Sequence, residues 1–304
     1  MDNSLANRLK KRFKHLNKWA KRENISCFRI YNQDLSEYPL IIDWIDGDLV
    51  VSSYQRPLSE QAKDQICKGL DRPESAIYAK VRQPQKGLQQ QYQRQSRQQV
   101  TKIVHESKLQ FELNLSDYLD VGLFLDHRQT RQYAQQQSAG ARVLNLFAYT
   151  GSFTCYAIAG GAKESVSVEM NPNYIQWCQR NMSLNKMSVN NKHQLVQADC
   201  LVYLKKKQPP FDLIICDPPT FSNSKRMKES FDINRDYPSL LTDCLSLLRK
   251  NGTLLFSTNS QKFKLDPQQL PNSAQLNEIT HKTVPPDFMK QKSHRCWEIR
   301  KGNP

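Results

Sequence analysis

Glycine is scarce in this chain, 10 of 304 residues, and no stretch reads G-x-G-x-x-G, so a dinucleotide-type phosphate loop is excluded. Cysteine is present but never clustered. Its eight copies stand singly at 27, 67, 155, 178, 200, 216, 244 and 296, with no C-x-x-C and no paired histidine spacing, which argues against a zinc site; no metal is expected. Most of them fall in apolar runs, as Cys216 does in Leu-Ile-Ile-Cys, where a free thiol serves as a small buried hydrophobe. No apolar run approaches the ~20 residues of a membrane span, and the N-terminus opens polar and basic without an apolar signal core. A soluble, cytoplasmic chain with no membrane partner is the expectation. Acidic residues are the last shortage: 29 against 44 Lys and Arg, a formal net charge of +15. Such an excess suggests a polyanionic partner, nucleic acid first, although some soluble proteins are merely basic.

The length suggests about two domains, and a hydrophobic share of 38% can fill their cores. Residues 4 to 22 carry Leu5, Leu9, Phe13, Leu16 and Ala20 at helical spacing, with Arg8, Lys10, Lys11, Arg12, Lys14, Lys18, Lys21 and Arg22 around the rest of the circumference. That predicts one amphipathic, very basic helix, either a solvated face or a phosphate-contacting ridge. Strands follow at 26–31, 40–44 and 49–54, the last two joined by the hairpin signal Asp46-Gly47. A helix at 59–70 and a strand at 77–82 come next. The glutamine-rich segment 83–99, with Lys86, Arg94, Arg97 and Tyr92, shows neither period and reads as a basic loop. Strands at 100–105 and 109–115 close a small α+β domain, residues 1–115.

After a junction at 116–122, residues 123–137 enter a helix of mixed polarity. From Arg142 onward strands and helices alternate, the pattern of a mostly parallel sheet covered on both faces. Strands are expected at 142–147, 164–169, 193–198, 213–217 and 253–258, with a late pair at 277–283 and 296–300. Helices are expected at 152–159, 172–184, 200–206 and 235–248. The first of these strands, Val-Leu-Asn-Leu-Phe, stops at Thr150-Gly151, a strand-turn-helix that can cradle a ligand beyond the carboxyl end of the sheet. Carboxylates close the next three: Glu169, Asp199 and Asp217. Glu169, about 20 residues beyond the first turn, suits the two ribose hydroxyls of a nucleoside. Asp199 suits an adenine amino group, and equally a helix N-cap.

The fourth strand end carries the most distinctive run, Asp217-Pro218-Pro219-Thr220-Phe221. Two prolines fix φ and remove two backbone donors, leaving carbonyls projecting from a rigid ledge. Such a ledge can hold a planar base by its edge while Phe221 stacks on its face. Lys225, Arg226 and Lys228 follow and suit phosphates.

Asn-Leu-Phe-x-Tyr-Thr-Gly, the acidic ends at Glu169 and Asp199, and Asp-Pro-Pro-Thr-Phe resemble the motifs of class I S-adenosylmethionine-dependent methyltransferases. Gly-Leu-Phe-Leu-Asp-His-Arg (122–128) and Asp-Pro-Pro-Thr-Phe-Ser-Asn-Ser-Lys-Arg-Met (217–227) are similar to the C-terminal, guanine-N7-methylating half of the bacterial bifunctional 23S rRNA methyltransferases. The resemblance extends over almost the whole chain, including the basic helix and Gln-Lys-Gly at 85–87. It implies a Rossmann-like domain at 116–304 with a seven-stranded, mostly parallel sheet ending in an antiparallel strand, S-adenosyl-L-methionine as cofactor, and a guanine of 23S rRNA or its precursor as acceptor. The 1–115 domain would bind RNA. The other half of the bifunctional proteins is not in this sequence, so a separate RNA-capturing methyltransferase is a conceivable partner.

Carried over by the resemblance, Phe147, Tyr149, Thr150 and Gly151 would line the methionine end of the cofactor, with Asp126 and Arg128 for its amino and carboxylate groups. Glu169 would take the ribose and Asp199 the adenine; Asn145, Met170, Cys200 and Asp217 complete the cofactor set. Asp217, Pro218, Pro219 and Phe221 would hold the guanine, with Asn259 after the fifth strand facing the same crevice. Guanine N7 has an in-plane lone pair and needs no base to become a nucleophile, so catalysis would be mostly positioning. Cytosine C5 methylation, exocyclic-amine methylation and a non-catalytic RNA-binding module are the alternatives. The first requires a cysteine after the fifth strand, where this chain has Phe256-Ser257-Thr258-Asn259-Ser260.

Overall fold

The computed structural model describes residues 4–54, 56–82, 96–223, 230–289 and 293–302. Two compact units divide after Leu125. In the first, helix α1 (Leu5–Arg22) starts at Ser4, whose hydroxyl accepts from the Asn7 N–H. It buries Leu5, Leu9, Leu16 and Ala20. The cations of the opposite side follow from the same spacing, and no acidic residue lies in the helix. Strands β1 (Cys27–Asn32), β2 (Leu40–Ile45), β3 (Asp48–Tyr54) and β4 (Ile77–Arg82) form a sheet in that order, with helix α2 (Glu60–Leu70) between the last two in sequence. Asp46 and Gly47 both take positive φ, 48° and 94°, the two-residue turn whose twist matches a β2–β3 hairpin. Strands β5 (Thr101–Glu106) and β6 (Leu109–Asn114) pair as a separate ribbon.

The sequence suggests a boundary at 115, but residues 116–125 stay with the first unit. Lys80 Nζ donates to the Ser116 carbonyl, Asn114 N–H to the Val121 carbonyl, and Arg82 pairs with Asp120 at 2.9 Å. Asp117 is buried and accepts from Ser96 and from the Gln99 N–H. The remainder of the expected basic loop, 83–95, lies outside the described residues, as do Lys225, Arg226 and Lys228.

The second unit opens at Asp126, within a one-turn 310 helix (Leu125–His127) leading into α3 (Arg128–Gln136). Then follow β7 (Arg142–Leu146), α4 (Ser152–Ala159), β8 (Glu164–Glu169), α5 (Pro172–Leu184), β9 (His193–Gln197), α6 (Cys200–Leu204) and β10 (Phe211–Cys216). A short hairpin of β11 (Phe221–Ser222) and β12 (Phe231–Asp232) precedes α7 (Ile233–Leu247), β13 (Leu248–Thr258), β14 (Ala274–Glu278), α8 (Thr280–Thr283) and β15 (Arg295–Lys301). The seven-stranded sheet runs β14-β15-β13-β10-β7-β8-β9. Its pairs are parallel from β13 through β9, and β15 runs antiparallel to both neighbours. The order reverses between β7 and β10, so their carboxyl ends border the crevice in which open α/β sheets take ligands.

Two expectations are corrected here. The strand expected at 277–283 is Ala274–Glu278, and Thr280–Thr283 is a helical turn. Ile279 and Thr283, four apart, are both buried, a helical spacing that alternation at the strand end disguises. The fifth strand begins at Leu248 rather than 253, because Phe211 pairs with Leu248 before the register shift. Among the described residues no helix is long and apolar enough to cross a membrane.

Candidate active site

The loop leaving β7 is held in an uncommon backbone conformation. Phe147, Tyr149 and Gly151 have φ of 53°, 50° and 77°, and the two side-chain-bearing residues each cost on the order of 1 kcal/mol in that region. Bonds to the neighbouring strand ends offset the cost. The Phe147 N–H reaches Cys200 Sγ at 3.2 Å, the Tyr149 N–H reaches Glu169 Oε2 at 3.0 Å, and the Gly151 N–H closes on the Ala148 carbonyl at 2.8 Å. Gly151 has no alternative: a Cβ there would stand 2.0 Å from Cys178 Sγ. Asn181, buried in α5, donates to the Thr150 carbonyl at 2.8 Å.

Glu169 is already oriented by the backbone. Its Oε1 accepts from the Asn171 N–H at 2.8 Å and its Oε2 from Tyr149, with a further bond from the Met170 N–H. Burial raises its carboxyl above the usual range even against these donors. With three backbone donors on about four lone-pair sites, the carboxylate retains about one for a ligand hydroxyl. Asp199 caps α6, its Oδ1 accepting from the Leu201 N–H at 2.8 Å. Cys200, buried, faces the Val168 carbonyl at 3.6 Å as well as Phe147, so one thiol ties the ends of β7 and β8; burial pushes that thiol well up. Asn145 lies in the sheet interior, donating to Thr154 Oγ1, which meets Ser167 Oγ at 2.6 Å. It supports the turn from below and is 2% exposed.

At the end of β10, Asp217 Oδ1 accepts from Ser257 Oγ at 2.6 Å. Pro218 is buried, Pro219 half-buried, and Thr220 Oγ1 donates to Asn259 Oδ1 at 2.6 Å. That bond joins the ledge to the loop after β13. Phe221 pairs with Asp232 across the β11–β12 hairpin, whose Phe231 approaches the Phe147 ring at 6.1 Å. Strands of two residues carry no periodicity, so the sequence does not announce this hairpin.

Arg128, which the resemblance implies for the cofactor, donates from Nη1 to Asp287 Oδ1 at 2.9 Å, with side chains 1% and 0% exposed, a buried ion pair between residues far apart in sequence. Asp126 stays half-buried, its Oδ2 3.5 Å from His294 Nδ1. His127 and His294 stack with centroids 4.2 Å apart and planes 23° from parallel, and His127 Nε2 lies 3.6 Å from Asp217 Oδ2. Burial lowers the His127 pKa, and His294 and Arg131 lower it further against the pull of Asp217 and Asp126. Asp126, His127 and His294 could approach one ion, but near-parallel stacked rings do not aim in-plane lone pairs at a shared point. Sequence reasoning misses both histidines, although His127 stands inside the Leu-Asp-His-Arg motif.

The strand ends thus gather Glu169, Asp199, Asp217 and Asn259 on one sheet edge around a glycine-dependent turn. The family model of S-adenosylmethionine-dependent methyltransferases matches residues 29–291. The chain belongs to this family. Over 97% of its length it is 45% identical to the ribosomal RNA large subunit methyltransferase K/L of Vibrio cholerae and 46% identical to that of Aeromonas hydrophila. It spans only 43% and 42% of those relatives' lengths. Among solved structures, SMU.776 complexed with SAH superposes with a TM-score of 0.75 at 23% identity, covering 99% of this chain and 82% of that one. The SAM-dependent methyltransferase of Agrobacterium tumefaciens gives 0.62 at 17%, covering 91% and 90%. These likenesses establish the fold. The cofactor is S-adenosylmethionine.

Proposed function

We propose that this methyltransferase modifies N7 of a guanine in 23S rRNA or its precursor. The observation that carries the reading is the Asp217-Pro218-Pro219 ledge, bridged to Asn259 through Thr220, with no thiol among residues 256–260. Bound S-adenosylmethionine supplies an electrophilic methyl carbon. The chain's own task is to hold the base edge-on against the ledge, with Phe221 against its face, so that the N7 lone pair lies in line with that carbon at ~3 Å. No proton needs to leave the base. The ring becomes cationic as the bond forms, and the Asp217 carboxylate stabilises it.

Cytosine C5 chemistry would need a thiolate. Cys216, beside the ledge, is fully buried and its thiol is pushed well up by burial, which opposes ionisation. The cations exposed on α1 (Arg8, Lys10, Lys11, Lys14, Lys18, Lys21 and Arg22) would contact RNA phosphates, and the relatives named for large-subunit rRNA support RNA as substrate.

The test is methyl transfer from labelled cofactor to unmodified rRNA followed by nucleoside analysis. N7-methylguanine is expected, with strand cleavage at one guanine after mild borohydride and aniline treatment. Each Cys→Ser variant should retain activity within about tenfold, whereas Asp217→Ala and Phe221→Ala should fall much further. Finding 5-methylcytosine, or one cysteine change that abolishes activity in a folded chain, overturns the assignment.

A further inference from the structure

Beneath the proline ledge, two buried histidines stand between two carboxylates, and nothing in the cofactor or base contacts described above uses them. The Asp217 carboxylate is held on one oxygen by Ser257 Oγ at 2.6 Å and faced on the other by His127 Nε2 at 3.6 Å. His127 is 5% exposed in its side chain. Its ring stacks on His294 on one side, and the edge of Phe153 meets it with centroids at 6.0 Å. His294 is anchored in turn by Thr283 Oγ1 at 3.1 Å and Thr130 Oγ1 at 3.4 Å, and Asp126 faces its Nδ1 at 3.5 Å. The imidazole beside Asp217 is therefore clamped in place.

Its protonation follows from the same surroundings. His127 Nδ1 is buried with no hydrogen-bond partner among the described residues. A buried N–H without an acceptor costs more than a bare lone pair, so the single proton of a neutral ring belongs on Nε2, facing Asp217. Charging the ring would add a cation beside His294 and Arg131 in the interior, which burial resists.

From this geometry we infer that His127 is a positioning residue for Asp217: its Nε2–H faces the carboxylate at 3.6 Å, beyond direct hydrogen-bond reach, and orients it by charge–dipole attraction while leaving its negative charge uncompensated toward the crevice. The distinction from an ordinary ion pair is chemical. A lysine or arginine in that place would orient the carboxylate equally well and cancel its charge. A neutral donor orients it and preserves the field that favours positive charge above the ledge, which the sulfonium cofactor brings and the methylated base acquires. The inference rests on the methyl-transfer reading for its catalytic consequence, and on geometry alone for the tautomer.

Two measurements separate those bases. Imidazole 15N shifts of the protein without substrate should show His127 neutral with its proton on Nε2 at pH 7; an imidazolium or an Nδ1–H ring overturns the inference whatever the enzyme methylates. Kinetics then test the consequence with two variants. His127→Phe keeps the ring and removes the donor; His127→Gln restores a neutral donor near the Nε2 position. His127→Phe should lower kcat about tenfold or more with KM for RNA and calorimetric Kd for S-adenosylmethionine near those of the parent, and His127→Gln should recover most of the loss. In the parent, kcat should fall on acidification below the ordinary histidine range as Asp126, His294, Arg131 and Asp217 permit, and the His127→Gln profile should lack that limb. Equal kcat in parent and His127→Phe, or losses in His127→Phe and His127→Gln that both track a lower melting temperature, overturn the positioning role. A parent that binds no S-adenosylmethionine overturns the underlying reading instead, and the catalytic half of this inference with it.

Discussion

Replacing Glu169 by glutamine changes one oxygen into an NH2 group and nothing in the side chain's shape. In the folded protein that oxygen pair holds three backbone donors, the Asn171 N–H at 2.8 Å, the Tyr149 N–H at 3.0 Å and the Met170 N–H. Only one acceptor remains in the variant, so one half-buried N–H faces another donor, a cost of ~1–3 kcal/mol to the turn. Part of that is recovered, because the parent ionises a carboxylate that burial disfavours. A carboxyl whose folded pKa is raised adds stability while protonated, and that contribution is lost as pH rises through the folded value. At pH 7 the charge therefore costs the unliganded fold something, and the melting temperature of Glu169→Gln should move little. Binding has no such compensation. The ribose hydroxyls lose a charged acceptor worth ~1.5–3 kcal/mol, or about a 10- to 100-fold weaker Kd for S-adenosylmethionine. Calorimetry at pH 7 reads this directly, and in the parent the affinity should begin to fall on acidification at a pH above that of an ordinary glutamate. A Glu169→Gln affinity within about threefold of the parent would refute the assignment of the ribose to this carboxylate.

Three further outcomes are expected. Gly151→Ala places a methyl 2.0 Å from Cys178 Sγ at φ 77°; melting should fall by the equivalent of ~1–3 kcal/mol, and cofactor affinity should fall with it, whereas an unperturbed melting curve would contradict the packing described at the turn. Arg128→Leu removes the guanidinium that pairs with the buried Asp287 carboxylate, so thermal unfolding should show a loss of about 3–5 kcal/mol; a variant with normal stability and selectively weakened S-adenosylmethionine binding would instead give Arg128 a cofactor role. Neutralising Lys10, Lys11, Lys14 and Lys18 should flatten the log-log salt dependence of RNA binding by roughly 0.7 for every single-strand phosphate left unneutralised, with filter binding as the assay, and an unchanged slope would make α1 a solvated face only.

The parts of this chain that are legible in its sequence share a local cause. Helices 152–159 and 172–184 have the same bounds in sequence and structure because Gly151 and Asn171-Pro172 mark their starts chemically, by a left-handed residue and by a capping amide followed by a proline. The carboxylates at strand ends are visible because a parallel sheet repeats its connection, and the repeat delivers each end to one edge. What escapes is set by distant chain. Arg128 finds Asp287, and His127 finds His294, across more than a hundred residues that no spacing rule links. The arginine's motif points to the cofactor, while its charge also meets a carboxylate 159 residues away in sequence. The late strand is displaced from its expected place for a related reason, since an edge strand is defined by the register of its neighbour, Leu276 opposite Ile299, and not by its own pattern.

The antiparallel strand β15 has a consequence for how the molecule is made. It is last in sequence among the described strands, yet it lies inside the sheet, between β13 and β14, where Leu254 takes Ile299 as its partner. During synthesis β13 emerges first and must wait, on the order of seconds at ribosomal speed, with one buried, apolar edge unpaired. Pairings so far apart in sequence also slow folding, since loop closure precedes their reward. A nascent chain halted before residue 295 would thus present an open strand of Thr253, Leu254, Leu255 and Phe256 to any neighbour, including the same strand on the next ribosome.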